Sequence, residues 1–460
     1  MFKYLDKIIF NRRALIQEVL EGFNETAIYT EKSGFAIIKD KNSKCIGVVS
    51  DGDIRRKLLE NVSLDAPIER AMNRDFSYVN EGDNTHKILR EFDNKVVNLP
   101  VLDKEGRPID LYQYSKFMAS SRSEQKIIRA RVPVRVTYSG GGTDMSSYIN
   151  KTPAAVLSST INKYCTSSVI IRKDDEIHIN SKDLNLKYSA KNINAVNFGD
   201  DLDLIKAAIK IMQPDYGFDL EVSSEFEPGT GLGGSSAMVV SVLGALNYFR
   251  NDQQMDIYEI SDLAYQVERI DMKIQGGWQD QYATTFGGFS WIEFRQNEVV
   301  VNPLLLNKNI LLELEYNLML FRLGGNRSSS KIQESHIKRI DNKKNLKSFR
   351  DMIEIASKMK DSLLKGEVKS FADLLHESWI IKQAMNKGIT NDFVEDCYNT
   401  SRKLGALGGK LLGAGESGYM LIYASPLYQR EISESLAKKG VIQERFKFSQ
   451  NGLEVWTTKK

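Results

Sequence analysis

EFEPGTGLGGSSAMVV, residues 225–240, sets four glycines and two serines immediately before a run of apolar residues with helical spacing. Glycine carries a backbone-entropy cost, so a cluster of them needs a reason. Bare backbone lets amide N–H groups converge without side chains in the way. A helix beginning at Ser235, Ser236 and Ala237 adds the positive end of its dipole. Together these features make a cradle for a polyphosphate. No lysine follows, so this is not G-x-x-x-x-G-K-[ST], and it lacks the strand–turn–helix frame and later acidic residue of a dinucleotide fingerprint.

The chain has 460 residues, too many for one ordinary domain. Its 42% hydrophobic and 27% charged residues are those of a globular protein, and a net charge of +3 gives no case for nucleic acid. Cys45, Cys165 and Cys397 are far apart and odd in number, which makes neither a disulfide framework nor a zinc site. The beginning, MFKYLDKIIFNRRALIQ, lacks a signal-peptide pattern, and no apolar run approaches the roughly 20 residues of a membrane span. A cytoplasmic protein without membrane contact is expected.

A small, polar stretch at 118–127 reads as a linker, with its core at 121–127. Before it, one plan occurs twice with a period of about 60 residues. ALIQEVLEGF, GFAIIKD, the turn KNSK and IGVVSDGDIRRKLLE are followed later by THKILREFDNK, VVNLPVLD, the turn KEGR and PIDLYQYSKF. Each is helix, strand, turn, strand, helix. After the linker, VPVRVTYSG, TSSVIIR and DEIHINS read as strands, while SSAMVVSVLGALNYF and ISDLAYQVERIDMKI read as helices.

The duplicated part resembles a tandem CBS (Bateman) module, most specifically at GVVSDGDIRR, residues 47–56. In such modules the serine and aspartate matching Ser50 and Asp53 hold an adenine nucleotide; a plain helix cap is the alternative. The second half has Asp110 where glycine is usual and no Ser/Thr-x-x-Asp, so one nucleotide site at most is implied.

Two further glycine-rich segments, VPVRVTYSGGGTDMSSY (132–148) and GALGGKLLGAGESGYMLIY (405–423), join the first in an order that resembles the GHMP small-molecule kinases over 129–460. The resemblance implies an α/β (α+β) fold of two lobes, ribosomal S5-like over 128–325 and ferredoxin-like over 326–460, preceded by the CBS pair at 1–120. Within the family, RVTYSGGGTD, GTGLGGSS and WQDQYATTFGGF are most similar to D-glycero-D-manno-heptose 7-phosphate kinases.

That resemblance implies ATP on Gly229, Thr230, Gly231, Leu232, Gly233, Gly234, Ser235 and Ser236, with Mg²⁺ on Ser236 and Glu268. It makes Asp280 the general base and Arg135 its basic partner. Gly141, Gly142, Thr143 and Asp144 are expected at the sugar, and Gly413, Gly415 and Gly418 in the floor of the site. A sugar that already carries a phosphate needs a second anion site, for which Arg327, Ser329 and Lys331 in GGNRSSSKIQESH are candidates. The implied reaction is phosphorylation of the anomeric hydroxyl, for activated heptose and surface polysaccharide, with a homodimer held or a nucleotide sensed by the CBS pair. Another sugar as substrate, or a nucleotide sensor with an inactive kinase half, are the alternatives.

Overall fold

The computed structural model describes residues 4–26, 30, 34–92, 96–117, 126–227, 229–250, 253–296, 298–324, 343–385, 387–413 and 415–459. The chain divides into two compact units, 1–124 and 125–460.

In the first unit the repeated sequence plan becomes a repeated topology. One half holds β1 (Ile9–Asn11), α1 (Ile16–Thr26), β2 (Phe35–Lys39), β3 (Cys45–Ser50) and α2 (Asp51–Leu59). The other holds β4 (Val79–Asn80), α3 (Thr85–Phe92), β5 (Asn98–Leu102) and β6 (Pro108–Gln113). β1 runs parallel to β2, and β2 antiparallel to β3; β4, β5 and β6 repeat that arrangement. The two hairpin turns are closed alike. Asp40 Oδ1 accepts from the amides of Asn42 and Lys44, and Asp103 Oδ1 from those of Glu105 and Arg107. Ile16, Val19 and Phe23 of α1 recur at helical spacing and are buried against Ala36, Ile38 and Val49.

The second unit carries two sheets. The larger is built on two long strands, β7 (Lys126–Ser139) and β8 (Ala154–Ile171), with β9 (Ile177–Ser181) and β10 (Leu186–Ala190) beyond. After α4 (Asp203–Met212) and β11 (Phe218–Ser224) comes α5 (Gly234–Asn247), which is apolar on nearly every side and accordingly buried almost all round. α6 (Ile257–Tyr265), α7 (Gln279–Phe286), β12 (Phe289–Arg295), β13 (Glu298–Pro303) and α8 (Lys308–Asn317) follow. The smaller, antiparallel sheet opens with β14 (Leu318–Arg322). α9 (Lys343–Lys365) lies against β7 and β8 and against α10 (Val368–Met385), while α10 and α11 (Asp392–Lys403) pack on the smaller sheet, which is completed by β15 (Ala406–Leu411), β16 (Tyr419–Ala424) and, after α12 (Pro426–Ala437), β17 (Ile442–Glu444). Finally β18 (Phe448–Ser449) pairs with β8, and β19 (Glu454–Lys459) with β7.

Two expectations shift here. β7 begins at Lys126, inside the stretch read as linker, because its first residues pair with the chain's last strand. The sheets also do not divide at 325/326: β14 belongs to the second sheet, while β18 and β19 return to the first. Among the described residues no helix is long and apolar enough to cross a membrane.

Candidate active site

The glycine loop ends in a left-handed Gly233 that starts α5. Gly229 and Gly231 are also left-handed, so the chain turns repeatedly in a short space. Gly231 lies against the other glycine-rich turn: a Cβ on Gly413 would sit 2.3 Å from Gly231 Cα, and one on Gly231 would sit 2.8 Å from the Leu412 carbonyl oxygen. Side chains at either position would separate the two backbones. Gly418 approaches Thr230 in the same way, whereas Gly415 backs onto Ile389. The expected floor is therefore a clasp between two loops, with Gly415 securing a neighbouring turn. Leu232 is core, Thr230 donates to the Glu227 carbonyl, and exposed Ser235 opens the helix.

β7 delivers Arg135 to this clasp. Its Nη1 donates to the Gly231 carbonyl (2.5 Å), while Nε and Nη2 both lie 2.8 Å from Asp280 Oδ1. Asp280 stands in the first turn of α7, where a carboxylate is favoured by the helix dipole. Arg135 is 5% exposed, so the charge-assisted pair is shielded from solvent. Both residues line a cleft together with Gly141, Gly142, Asp144 and Gly413.

Asp144 is buried and already engaged. Oδ1 accepts from the Gly142 amide (2.9 Å) and Gln279 Nε2 (3.2 Å), and Oδ2 from the Gln279 amide (3.0 Å). Gln279 Oε1 accepts from Thr137 Oγ1 (2.8 Å). Asp144 thus ties the triple-glycine turn to the residue before Asp280. Burial and the nearby Asp280 charge raise its proton affinity, against the hydrogen bonds it accepts. Thr143 departs from its expected place at the sugar: its buried hydroxyl is turned inward onto the Gly140 carbonyl.

Glu268 was expected on a continuous helix. The helix instead changes to π geometry over Gln266–Asp271, a widening common at functional sites. The turn buries Glu268 completely and carries Arg269 to the cleft. Glu268 Oε2 accepts from Ser236 Oγ (2.5 Å) and from Gln281 Nε2. Its Oε1 is buried with no hydrogen bond, and the closest cation, Arg269 Nη1, is 3.8 Å away. Gln281 Oε1 is likewise buried and unpartnered. Unmet oxygen acceptors beside a serine hydroxyl form the hard-ligand set that Mg²⁺ takes.

Among the cleft residues with no sequence expectation are Gln279, Arg269, Lys382 and Lys410. Lys382 projects from α10, and its Nζ donates to the carbonyls of Gly413 (2.6 Å) and Leu411 (3.3 Å). Lys410, in β15, is 3% exposed and donates to the Tyr138 carbonyl (2.8 Å). A lysine inside the otherwise small and apolar ALGGKL strand was the one legible signal. Arg327, Ser329 and Lys331 lie outside the described residues. In the first unit, Ser50 and Asp53 form a reciprocal capping box at the start of α2, and Arg56 occupies the other Asp53 oxygen.

The GHMP kinases N terminal domain model matches residues 203–288, which include the glycine loop, Glu268 and Asp280. The D-glycero-alpha-D-manno-heptose 7-phosphate kinase of Campylobacter jejuni is 34% identical over 341 residues, 72% of this chain and 99% of that relative. The chain belongs to the GHMP kinase family. The bifunctional fucokinase/GDP-fucose pyrophosphorylase of Arabidopsis thaliana is 26% identical over 64% of this GHMP kinase and 30% of its own length. A solved D-glycero-D-manno-heptose 1-phosphate kinase from Bacteroides thetaiotaomicron superposes with a TM-score of 0.60 at 28% identity, covering 72% of the kinase and 98% of that structure. This GHMP kinase is accordingly a sugar kinase that uses ATP.

Proposed function

We propose that the kinase phosphorylates the C1 hydroxyl of D-glycero-D-manno-heptose 7-phosphate, giving the 1,7-bisphosphate for nucleotide-activated heptose and surface polysaccharide. The observation that carries the reaction is the Arg135–Asp280 pair fixed to Gly231 of the glycine loop. The choice of sugar rests on likeness to the Campylobacter relative.

Asp280 takes the hydroxyl proton as the C1 oxygen forms its bond to the γ-phosphorus of ATP, and the bond to the departing ADP oxygen breaks. Arg135 holds the Asp280 carboxylate in place and stabilises charge developing beside it. The amides at the start of α5 receive phosphate oxygens. Gly141 and Gly142 let the sugar lie against backbone, while Asp144 fixes their turn. Ser236 and Glu268 hold Mg²⁺, which when bound neutralises triphosphate charge. Arg327, Ser329 and Lys331 take the phosphate on C7.

The first unit is proposed as a CBS pair that binds an adenine nucleotide near Ser50 and Asp53, pairs two copies of the chain and adjusts the kinase. Its doubled topology supports that reading. Three unpaired cysteines accord with a cytoplasmic protein.

The decisive assay mixes full-length protein with MgATP and the heptose 7-phosphate, and locates phosphate by phosphorus NMR. A C1 product that falls by about 10²–10⁴-fold in Asp280→Asn supports sugar and base together. ATP binding without product discards the heptose assignment and turns the search to unphosphorylated sugars. Kinetics indifferent to AMP, ADP and non-hydrolysable ATP analogues discard the regulatory role.

A further inference from the structure

The geometry points to Lys382 as a further catalytic cation, contacting the phosphoryl group in transit, with Lys410 positioned behind it. This rests on the reading of Asp280 and the glycine loop as the reaction centre.

The argument begins with an imbalance of charge. Six ionisable side chains line the cleft: Arg135, Arg269, Lys382, Lys410, Asp144 and Asp280. Arg135 is neutralised by Asp280, and the Asp144 oxygens are occupied by amides of Gly142 and Gln279. Arg269 faces Glu268 at 3.8 Å and donates to the Gly277 carbonyl. Among the described residues, no carboxylate lies within ion-pair reach of Lys382 or Lys410. Two cations are thus held in a shielded cleft by carbonyl dipoles alone, an expensive arrangement unless an anion arrives.

Position identifies which anion. An ammonium has three N–H donors, and Lys382 directs two at Leu411 and Gly413. Gly413 is the glycine clasped to Gly231, whose carbonyl receives Arg135. That leaves one N–H with no protein acceptor among the described residues, on a lysine that lines the same cleft as Arg135, Asp280 and Gly413. Phosphoryl transfer spreads negative charge over three equatorial oxygens, and cations placed there lower the barrier. Burial and the Arg135 charge lower the Lys382 proton affinity to about 7, and burial, with the Lys382 and Arg135 charges, lowers that of Lys410 as well. As the C1 oxygen–phosphorus bond forms and the bond to ADP breaks, Lys382 remains protonated and releases nothing.

The test uses full-length Lys382→Met and Lys382→Gln with wild-type heat stability as a folding control. We expect kcat to fall by about 10²–10³-fold while KM for the sugar changes less than threefold. Slow ATP hydrolysis without sugar should fall in parallel, so the result stands even if the heptose is not the substrate. The wild-type kcat/KM should decline on the alkaline side near pH 7, and Lys382→Arg should remove that limb. Lys410→Met should lower kcat yet leave that limb in place, because burial and Arg135 set the Lys382 proton affinity. A raised KM for phosphorylated sugar at unchanged kcat would assign Lys382 to the sugar's own phosphate and overturn the proposal. Unchanged kinetics in both variants would also overturn it.

Discussion

Glu268 presents one oxygen to Ser236 and Gln281 and leaves the other buried without a donor. If that oxygen awaits Mg²⁺, Glu268→Gln should raise the Mg²⁺ concentration for half-maximal rate by about tenfold or more, measured at saturating ATP. An unchanged Mg²⁺ dependence would remove Glu268 from the proposed ligand set. Lys382 gives a second residue-scale expectation. Unfolded, it binds its proton below about pH 10.5; folded and without ligand, it does so only below about 7. Between those values unfolding takes up a proton, so this residue's contribution to stability falls as pH is lowered through the window. Thermal melts of ligand-free protein at pH 7 and pH 9 should differ less in Lys382→Met than in wild type.

The meeting of two glycine turns is a property of elements rather than of any side chain. Gly413→Ala should strain a left-handed backbone and push the turn from Gly231, raising KM for ATP by about tenfold or more. Gly440→Ala is the matched control, being left-handed with open space at its Cβ; it should lower Tm slightly and leave ATP kinetics intact. The glycine loop and the doubled hairpins were legible because each rests on a local pattern of glycine, turn residue or helix start, whereas Arg135 and Asp280 were singled out only by the resemblance of their motifs to the kinase family. The π turn was not, since the apolar spacing of LAYQVERIDMKI fits an ordinary helix equally well. Lys382 was hidden for a related reason. On α10 it reads as one more polar residue of an amphipathic helix, and only the fold brings its ammonium to the Gly413 carbonyl, 31 positions away. The return of β18 and β19 to the first sheet is a long-range pairing with no sequence period to announce it.

At the scale of the molecule, two compact units predict two resolvable thermal transitions. MgATP at 100 times its Kd should stabilise the 125–460 unit by about 2.7 kcal/mol. Ser50→Ala, which removes the α2 cap, should lower the other transition by about 1 kcal/mol. Calorimetry of wild type with and without AMP then separates a nucleotide site in the first unit from a cap alone. The β7–β19 ladder has a consequence for biosynthesis. Lys126 pairs with Lys459, so the strand carrying Arg135 emerges from the ribosome long before its edge is covered. At about 5–20 residues per second, the intervening 333 positions take roughly 15–70 s to make. Throughout that interval one edge of β7 is open to pairing with other nascent chains, and the kinase half cannot close until β19 has been made.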